Sequence, residues 1–373
     1  MKECPVSSLS DAPVYLTFDD LTVLPRRNKG SPEAVSLAER VSRRHRLGFP
    51  VLSAGMPSVT EQSMAIAMGQ FGGLGVIHRY CSIEKQCEMV AAVASHVPDR
   101  GIYKDASVRE GGALLASASC APVDLERARA LASAGARLLF LDTPNPPNDE
   151  VFAGVARMRQ ALPEVDLVIG SVVETDTARR YLELGIDAIK VGLGAGALCS
   201  IRRTAGVGAP QVTALEDVCV AARDYGVPVI SDGGISCSGD IVKALAVGAS
   251  AVMLGSLLAS CDEAPGAVVE VNGKRMKEIA GLRLSDLEID GPTGYPAVDA
   301  YLREHAAPRV EGGDARIPAS GPCHLTLLRL LRGVRVGVHM AGALNLEELR
   351  RHARLVRVSP SGVLEANAAG SSA

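Results

Sequence analysis

The chain has 373 residues, 47% of them hydrophobic and 22% charged, with a formal net charge of −3. This suits a soluble globular protein with a large core, and it excludes binding to bulk nucleic acid while leaving room for a local anion site. No apolar run reaches the ~18 residues of a membrane span, and the N-terminal "MKECPVSSLSDAP" lacks the apolar centre of a signal peptide. Nine cysteines without a CxxC pair argue against zinc or a disulfide framework and point to a reduced cytoplasm. Aromatics at 3%, with no Trp, argue against a stacking platform for single strands.

In chain order, short apolar runs alternate with helical patterns. The runs are Pro50–Ala54, Leu74–Ile77, Ala113–Ser117, Arg137–Asp142, Asp166–Gly170, Ala188–Val191, Val227–Asp232 and Ala251–Leu254. Continuous apolar runs are what parallel strands buried on both faces require. Between them, "DLERARALASAG" opens on Asp124 as an N-cap and stops at Gly135. "TDTARRYLELG" and "SGDIVKALAVG" stop the same way at Gly185 and Gly248. Eight such units predict an α/β fold, a closed (β/α)8 TIM barrel. The alternative is an open doubly wound sheet, which shares the local grammar. Two connections are long, Ile77 to Ala113 and Val191 to Val227. The second carries "GLGAGALCSIRRTAGVGAPQ" and follows a strand, so it falls on the carboxyl face, where barrel active sites are built. After the eighth strand, a hairpin around Asn272-Gly273 leads into a Gly- and Pro-rich stretch, read as a flap over the mouth at about 267–320. Residues 1–360 are expected to form one catalytic domain, and 361–373 a disordered tail.

The loops after strands seven and eight suit a phosphate site built on Gly233, Gly234, Gly255 and Ser256, where no Cβ blocks backbone N–H groups. The bland alternative is that these glycines only make tight turns. Asp232 could accept hydrogen bonds from ribose hydroxyls. Cys199 is a candidate nucleophile for an electron-poor carbon, with Arg202 and Arg203 close enough in sequence to lower its pKa. The alternative is a small packing thiol. His78 is read as a structural hydrogen-bonding histidine in preference to a base. No HxxxH, HExxH or carboxylate cluster suggests a catalytic metal.

Five separated segments resemble the IMP dehydrogenase/GMP reductase family, in its order: "YLTFDDLTVLP", "PVLSAGMPSVTEQSMAIAMGQFGGLGVIHR", "DAIKVGLGAGALCSIRRTAGVGAPQVTA", "VPVISDGGIS" and "KALAVGASAVMLGSLLAS". The resemblance runs from about Tyr15 to Leu344. It implies a barrel enzyme, usually a homotetramer, whose cysteine attacks C2 of a purine nucleotide and passes through a covalent thioimidate. A nicotinamide cofactor gives or takes the hydride at that carbon. The cysteine matches Cys199 and the ribose-binding aspartate Asp232. Ser53, Met56, Gly281 and Arg283 fall on the substrate side. The aspartate near the nicotinamide matches Asp142, with Thr143 and Ser171 beside it. Loop carbonyls that hold a monovalent cation such as K+ match Gly194, Gly196 and Cys199.

The family's dehydrogenase hydrolyses the intermediate with an Arg-Tyr pair on the flap; here Tyr301 remains, but Ala300 stands at the arginine position. The family's reductase uses a glutamate that matches Glu311. The dehydrogenase also carries a pair of CBS modules after strand two, and the roughly 35 residues available here are too few for them. Further departures are Ile201 for a threonine, Ala197 for a phosphate-site serine, Ala280 for a phosphate-binding tyrosine, Pro57 for an aspartate and Ser171 for an asparagine. Each lost side-chain bond to phosphate costs ~1 kcal/mol or more, and Arg283 could restore an anion contact. This pattern favours a shifted substrate. The expected activity is NADPH-dependent reductive deamination of GMP or a modified analogue such as a 7-deazaguanine nucleotide. Oxidation of IMP or an analogue with NAD is the alternative, and a non-catalytic nucleotide-binding relative is a third reading.

Overall fold

The structure, a computed structural model, describes residues 12–28, 30–142, 147–196, 201–279, 282–283, 310–311 and 315–368. Eight parallel strands close on themselves: β1 (Val51–Ser53), β2 (Leu74–Ile77), β3 (Ser117–Cys120), β4 (Leu138–Asp142), β5 (Asp166–Val172), β6 (Ala188–Val191), β7 (Val229–Asp232) and β8 (Ala251–Leu254). The register runs without a break from β8 onto β1, where Val252 faces Val51, and from β6 onto β7, where Ile189 faces Val229. Helices α1 (Gln62–Gln70), α2 (Ile83–Ser95), α3 (Leu125–Ser133), α4 (Asp149–Ala161), α5 (Thr175–Glu183), α6 (Gln211–Arg223) and α7 (Ser238–Val247) follow strands one to seven. The eighth helix, α8 (Cys323–Met340), comes only after the flap.

The alternation of each strand explains its unbroken apolar run. Leu52, Leu74, Val76, Phe140, Val168, Ile230 and Met253 fill the barrel interior. Their neighbours Val51, Ile77, Leu139, Ile169, Ile189 and Val252 pack under the helices. Both sets leave water, as a parallel sheet covered by helices demands. The expected third strand is displaced. Ala113–Ser117 holds the apolar residues, but the strand is Ser117–Cys120. Its serines are tolerated because they bond the neighbouring strand: the Ser117 hydroxyl donates to the Gly75 carbonyl at 2.9 Å and the Ser119 hydroxyl to that of Ile77 at 3.4 Å.

A hairpin of Glu39–Arg40 and Arg46–Leu47 closes the amino-terminal end of the barrel, adding Val41 and Leu47 to the interior cluster. The flap stands as a three-stranded antiparallel sheet, β9 (Val268–Val271), β10 (Lys274–Ile279) and β11 (Ala315–Pro318). Asn272 and Gly273 form its first turn, both at positive φ (52° and 72°), as expected of Asn-Gly. The chain end departs from expectation. Residues Pro360–Ala368 form a helix, opened by Pro360 and by the Ser359 hydroxyl accepting from the Gly362 N–H at 3.2 Å. The Ser-Pro start outweighs the Gly-, Ser- and Ala-rich composition. Among the described residues no helix is long and apolar enough to cross a membrane.

Candidate active site at the carboxyl face of the barrel

All eight strands end at one face, so the residues that close them meet around one mouth. Asp142 ends β4, Ser171 is the penultimate residue of β5, Lys190 lies on β6 and Asp232 ends β7. Lys190 is a cation inside an otherwise apolar strand, with its side chain only 6% exposed. Its Nζ lies 3.0 Å from Asp142 Oδ1, 2.7 Å from Asp232 Oδ2 and 3.5 Å from Ser171 Oγ. Burial pushes the ammonium down, but the two carboxylates outweigh it and hold Lys190 above the ordinary lysine value. Gly170 makes space for the stem: a Cβ there would sit 2.7 Å from Lys190 Cβ. The two carboxylates stay 32% and 26% exposed, so each keeps acceptor capacity toward the mouth.

The glycine-rich loop after β6 lies directly on the turn after β7. Gly192 has φ +146°, and a Cβ there would meet the Asp232 carbonyl oxygen at 1.9 Å. Gly233 has φ +95°, and its Cβ would meet the Gly196 nitrogen at 3.0 Å. Only glycine permits both the backbone angles and the close approach. Gln211, which opens α6, ties the two strand ends below the loop. Its Nε2 donates to the Val191 carbonyl at 2.9 Å and to Ser231 Oγ at 3.0 Å. Gly194 and Gly208 hold the stem of Arg202; a Cβ on either would fall 2.2 or 2.5 Å from Arg202 Cγ. Arg202 is therefore a packed stem with an exposed end. The loop leads from Gly196 into Cys199, which lies outside the described residues, as do Ala197, Thr143, Ala280, Gly281 and Tyr301.

Gly234 (φ +75°) and Gly255 belong to the same mouth, with Ser256 opening a single helical turn after β8. Met56 faces that turn, since a Cβ on Gly255 would lie 3.7 Å from its Sδ. Ser53 does not line the open mouth. It is fully buried, and its oxygen accepts the Thr60 hydroxyl at 2.8 Å, so it holds the turn that carries Met56. The backbones of Arg283 and Glu311 share one short antiparallel ladder, Leu282 opposite Glu311 and Arg283 opposite Val310. His78 is 3% exposed and accepts the Tyr80 N–H at Nδ1, 3.1 Å away. Burial lowers its pKa against a raising contact from Glu61. This is the structural histidine expected.

Sequence reasoning missed Lys190 and Gln211. Lys190 carried a signal, a charge inside a run read as buried on both faces. Gln211 carried none beyond its place at a helix start.

The carboxyl-face site defines the chain as a barrel enzyme of the TIM class. Residues 15–369 match the IMP dehydrogenase / GMP reductase domain family. Inosine-5'-monophosphate dehydrogenase of Thermoplasma acidophilum is 30% identical over 458 aligned positions, covering 94% of this chain and 93% of the relative. That of Staphylococcus haemolyticus is 31% identical over 468, covering 94% and 95%. That of Borreliella burgdorferi is 30% identical over 389, covering 94% and 96%. The chain belongs to the IMP dehydrogenase / GMP reductase family of NAD(P)-dependent oxidoreductases. The first two alignments are longer than the 373 residues of this chain, so those relatives carry segments without a counterpart here. The third alignment, at 389 positions, exceeds this chain by far less and covers 96% of its relative. A dehydrogenase-named relative of nearly the same length as this chain therefore exists, and the shortness of the chain does not by itself mark the reductase branch.

Proposed function

We propose that the chain oxidises C2 of a purine nucleotide, in the manner of IMP dehydrogenase, with NAD as hydride acceptor. The observation that carries this reading is the Asp142–Lys190–Asp232 cluster beneath the glycine loop that leads into Cys199. The oxidative direction, in place of the NADPH-dependent reduction expected from sequence, draws support from relatives named as dehydrogenases along more than 90% of their length.

Asp232 accepts the ribose hydroxyls. Backbone N–H groups at Gly233, Gly234, Gly255 and Ser256 take the phosphate, with Arg283 as a further cation. Met56 packs against the base. Asp142, Thr143 and Ser171 face the cofactor side, and Lys190 keeps Asp142 and Asp232 at a fixed spacing. NAD, when bound, supplies the carbon that accepts the hydride leaving C2. The Cys199 thiolate bonds to C2, and loss of the hydride leaves a thioimidate. Water then adds to C2, the C–S bond breaks and the thiol returns, leaving a 2-oxo base. Tyr301 or Glu311 takes the proton of that water. The carbonyls of Gly194, Gly196 and Cys199 form the ligand set for a monovalent cation, so exchange of Na+ for K+ is expected to raise turnover. Exposed Leu325, Leu328, Val336 and Met340 on α8 offer an apolar face for self-association, and the homotetramer is what the family resemblance implies.

Ala300 beside Tyr301, where the family's arginine would activate water, favours a second reading. In it NADPH reduces GMP or a 7-deazaguanine analogue, and Glu311 moves the ammonia proton. Absorbance at 340 nm separates the two. IMP with NAD should give a rise; a fall with GMP and NADPH and no rise with IMP would overturn the oxidative reading. Silence across a nucleotide panel, with no Cys199 adduct by mass spectrometry, would leave only the non-catalytic relative. Cys199→Ala is expected to lower turnover by about four orders of magnitude while nucleotide binding persists; unchanged turnover would remove the covalent mechanism.

A further inference from the structure

Away from the mouth, two cysteines meet at the base of the flap. Cys261 follows the helical turn Ser256–Ala259, where the chain leaves the barrel, and Cys323 opens α8, where it returns. The two ends are sewn together. Cys261 and Gly321 form a parallel bridge, the Asp262 N–H donates to the Gly321 carbonyl at 2.9 Å, and the Ser320 N–H donates to that of Ser260 at 2.9 Å. Both cysteines are fully buried, and the Cys323 thiol is the largest influence on the Cys261 thiol.

The surroundings are unlike those of other buried thiols in this chain. Cys261 Sγ lies 3.4 Å from Ser320 Oγ and 3.7 Å from Thr326 Oγ1. The Lys277 ammonium is held nearby, donating to the carbonyls of Ala264 at 2.6 Å and Asp262 at 3.3 Å. Glu263 accepts the Cys323 N–H at 2.7 Å. The Cys323 thiol, with Ser320 and Thr326, brings Cys261 down to about 7, against the raising effects of burial and Glu263. Cys323 is pushed up. Cys120 and Cys219, buried without such donors, are pushed up to about 12. A cavity of about 630 Å³ is lined by Asp262, Glu263 and Pro322, the chain neighbours of the two cysteines, and by neither cysteine itself.

We propose that Cys261 and Cys323 are a peroxide-reactive dithiol that closes to a disulfide and staples the two ends of the flap. The Cys261 thiolate attacks a peroxide oxygen: the S–O bond forms, the O–O bond breaks and hydroxide leaves, to be protonated to water. The Cys323 sulfur then attacks the sulfenic sulfur. The S–S bond forms, the S–O bond breaks, and the departing hydroxide takes the Cys323 proton as a second water. Two thiols lose two electrons and one peroxide gains them. The staple encloses the flap segments that carry Arg283 and Glu311, and it anchors the turn at Gly255 and Ser256 against α8. It also restricts the unfolded chain, so the oxidised form melts higher.

The test uses the full chain carrying Cys199→Ser, so that the mouth thiol does not consume the reagent. Hydrogen peroxide is expected to remove two hydrogens from the intact mass and give one cross-linked peptide joining Cys261 to Cys323, reversed by dithiothreitol. The melting temperature should rise by several degrees. Adding Cys323→Ser should stop Cys261 at a sulfenic acid that dimedone traps, with no cross-link and no rise. Both cysteines still reduced after exposed Cys237 is oxidised would overturn the proposal, as would the same cross-link mass in the Cys323→Ser chain. Peptide mapping of the Cys199→Ser chain decides alone if the double variant does not fold.

Discussion

The two ends of the barrel hold buried charge in opposite proportion. At the carboxyl end one cation, Lys190, is shared by two carboxylates that remain about a quarter to a third exposed. At the amino end two carboxylates face three arginines. Asp166 is fully buried against Arg44; Asp187 lies 2.7 Å from Arg159 and 3.9 Å from Arg43, and also accepts the Leu167 N–H at 2.9 Å. Excess cation and backbone donors leave the lower carboxylates with little capacity to spare, so that end serves as a closed plug. Excess carboxylate at the upper end leaves acceptors pointing at the mouth, which is what a ligand rich in hydroxyls needs.

Lys190→Met attacks this contrast most directly. It strands two carboxylates around an apolar stem. Stability is expected to fall by ~3–5 kcal/mol in denaturant titration, and kcat/KM by about a thousandfold, or ~4 kcal/mol. Lys190→Arg should recover much of the stability. A Met variant with normal turnover would show that the cluster is not part of the site.

A matched pair sharpens the comparison at smaller cost. Arg159→Met at the lower end removes the nearest cation from Asp187 and a donor from the Val165 carbonyl, 3.0 Å away. It is expected to cost ~2–4 kcal/mol of stability with kcat unchanged. Asp232→Asn at the upper end should do the reverse: kcat/KM falls about a hundredfold, while unfolding moves by less than about 1 kcal/mol because Asp142 still pairs Lys190. Equal effects on stability and turnover in both variants would erase the distinction between plug and mouth.

The barrel was legible because its signal is local. Parallel strands buried on both faces read as apolar runs, and glycine stops close the helices at Gly135, Gly185 and Gly248. The third strand was misplaced because apolarity was taken as the mark of a strand, while Ser117 and Ser119 earn their places through hydrogen bonds to β2. Among site residues, Asp232 and Gly233 were legible from their position at the end of a strand, and Asp142 from the family resemblance alone. The Asp142–Lys190–Asp232 spacing was not, since it joins three strands and depends on barrel closure. The roles of Gly192 and Gly233 as contact points between two loops likewise need the fold. A sequence can announce a glycine, but what its missing Cβ would strike is a fact of tertiary structure.

The smallest expected effect belongs to the lower end and concerns pH. His45 lies beside Arg44, among Asp166, Asp187 and Arg137, and burial lowers its pKa from the ordinary imidazole value. The folded chain therefore binds fewer protons there than the unfolded chain. Its contribution is whole above about 6.5, the unfolded value, and is lost as pH falls through the lower folded value. Asp187 works the other way: burial raises its carboxyl, so acid favours the fold at that group. His45→Gln separates the two. Between pH 8 and 5.5 the parent should lose about one or two degrees of melting temperature more than the variant, followed by circular dichroism. Superimposed curves would mean that the plug holds its histidine without paying for its neutrality, and that the arginine excess alone governs the lower end.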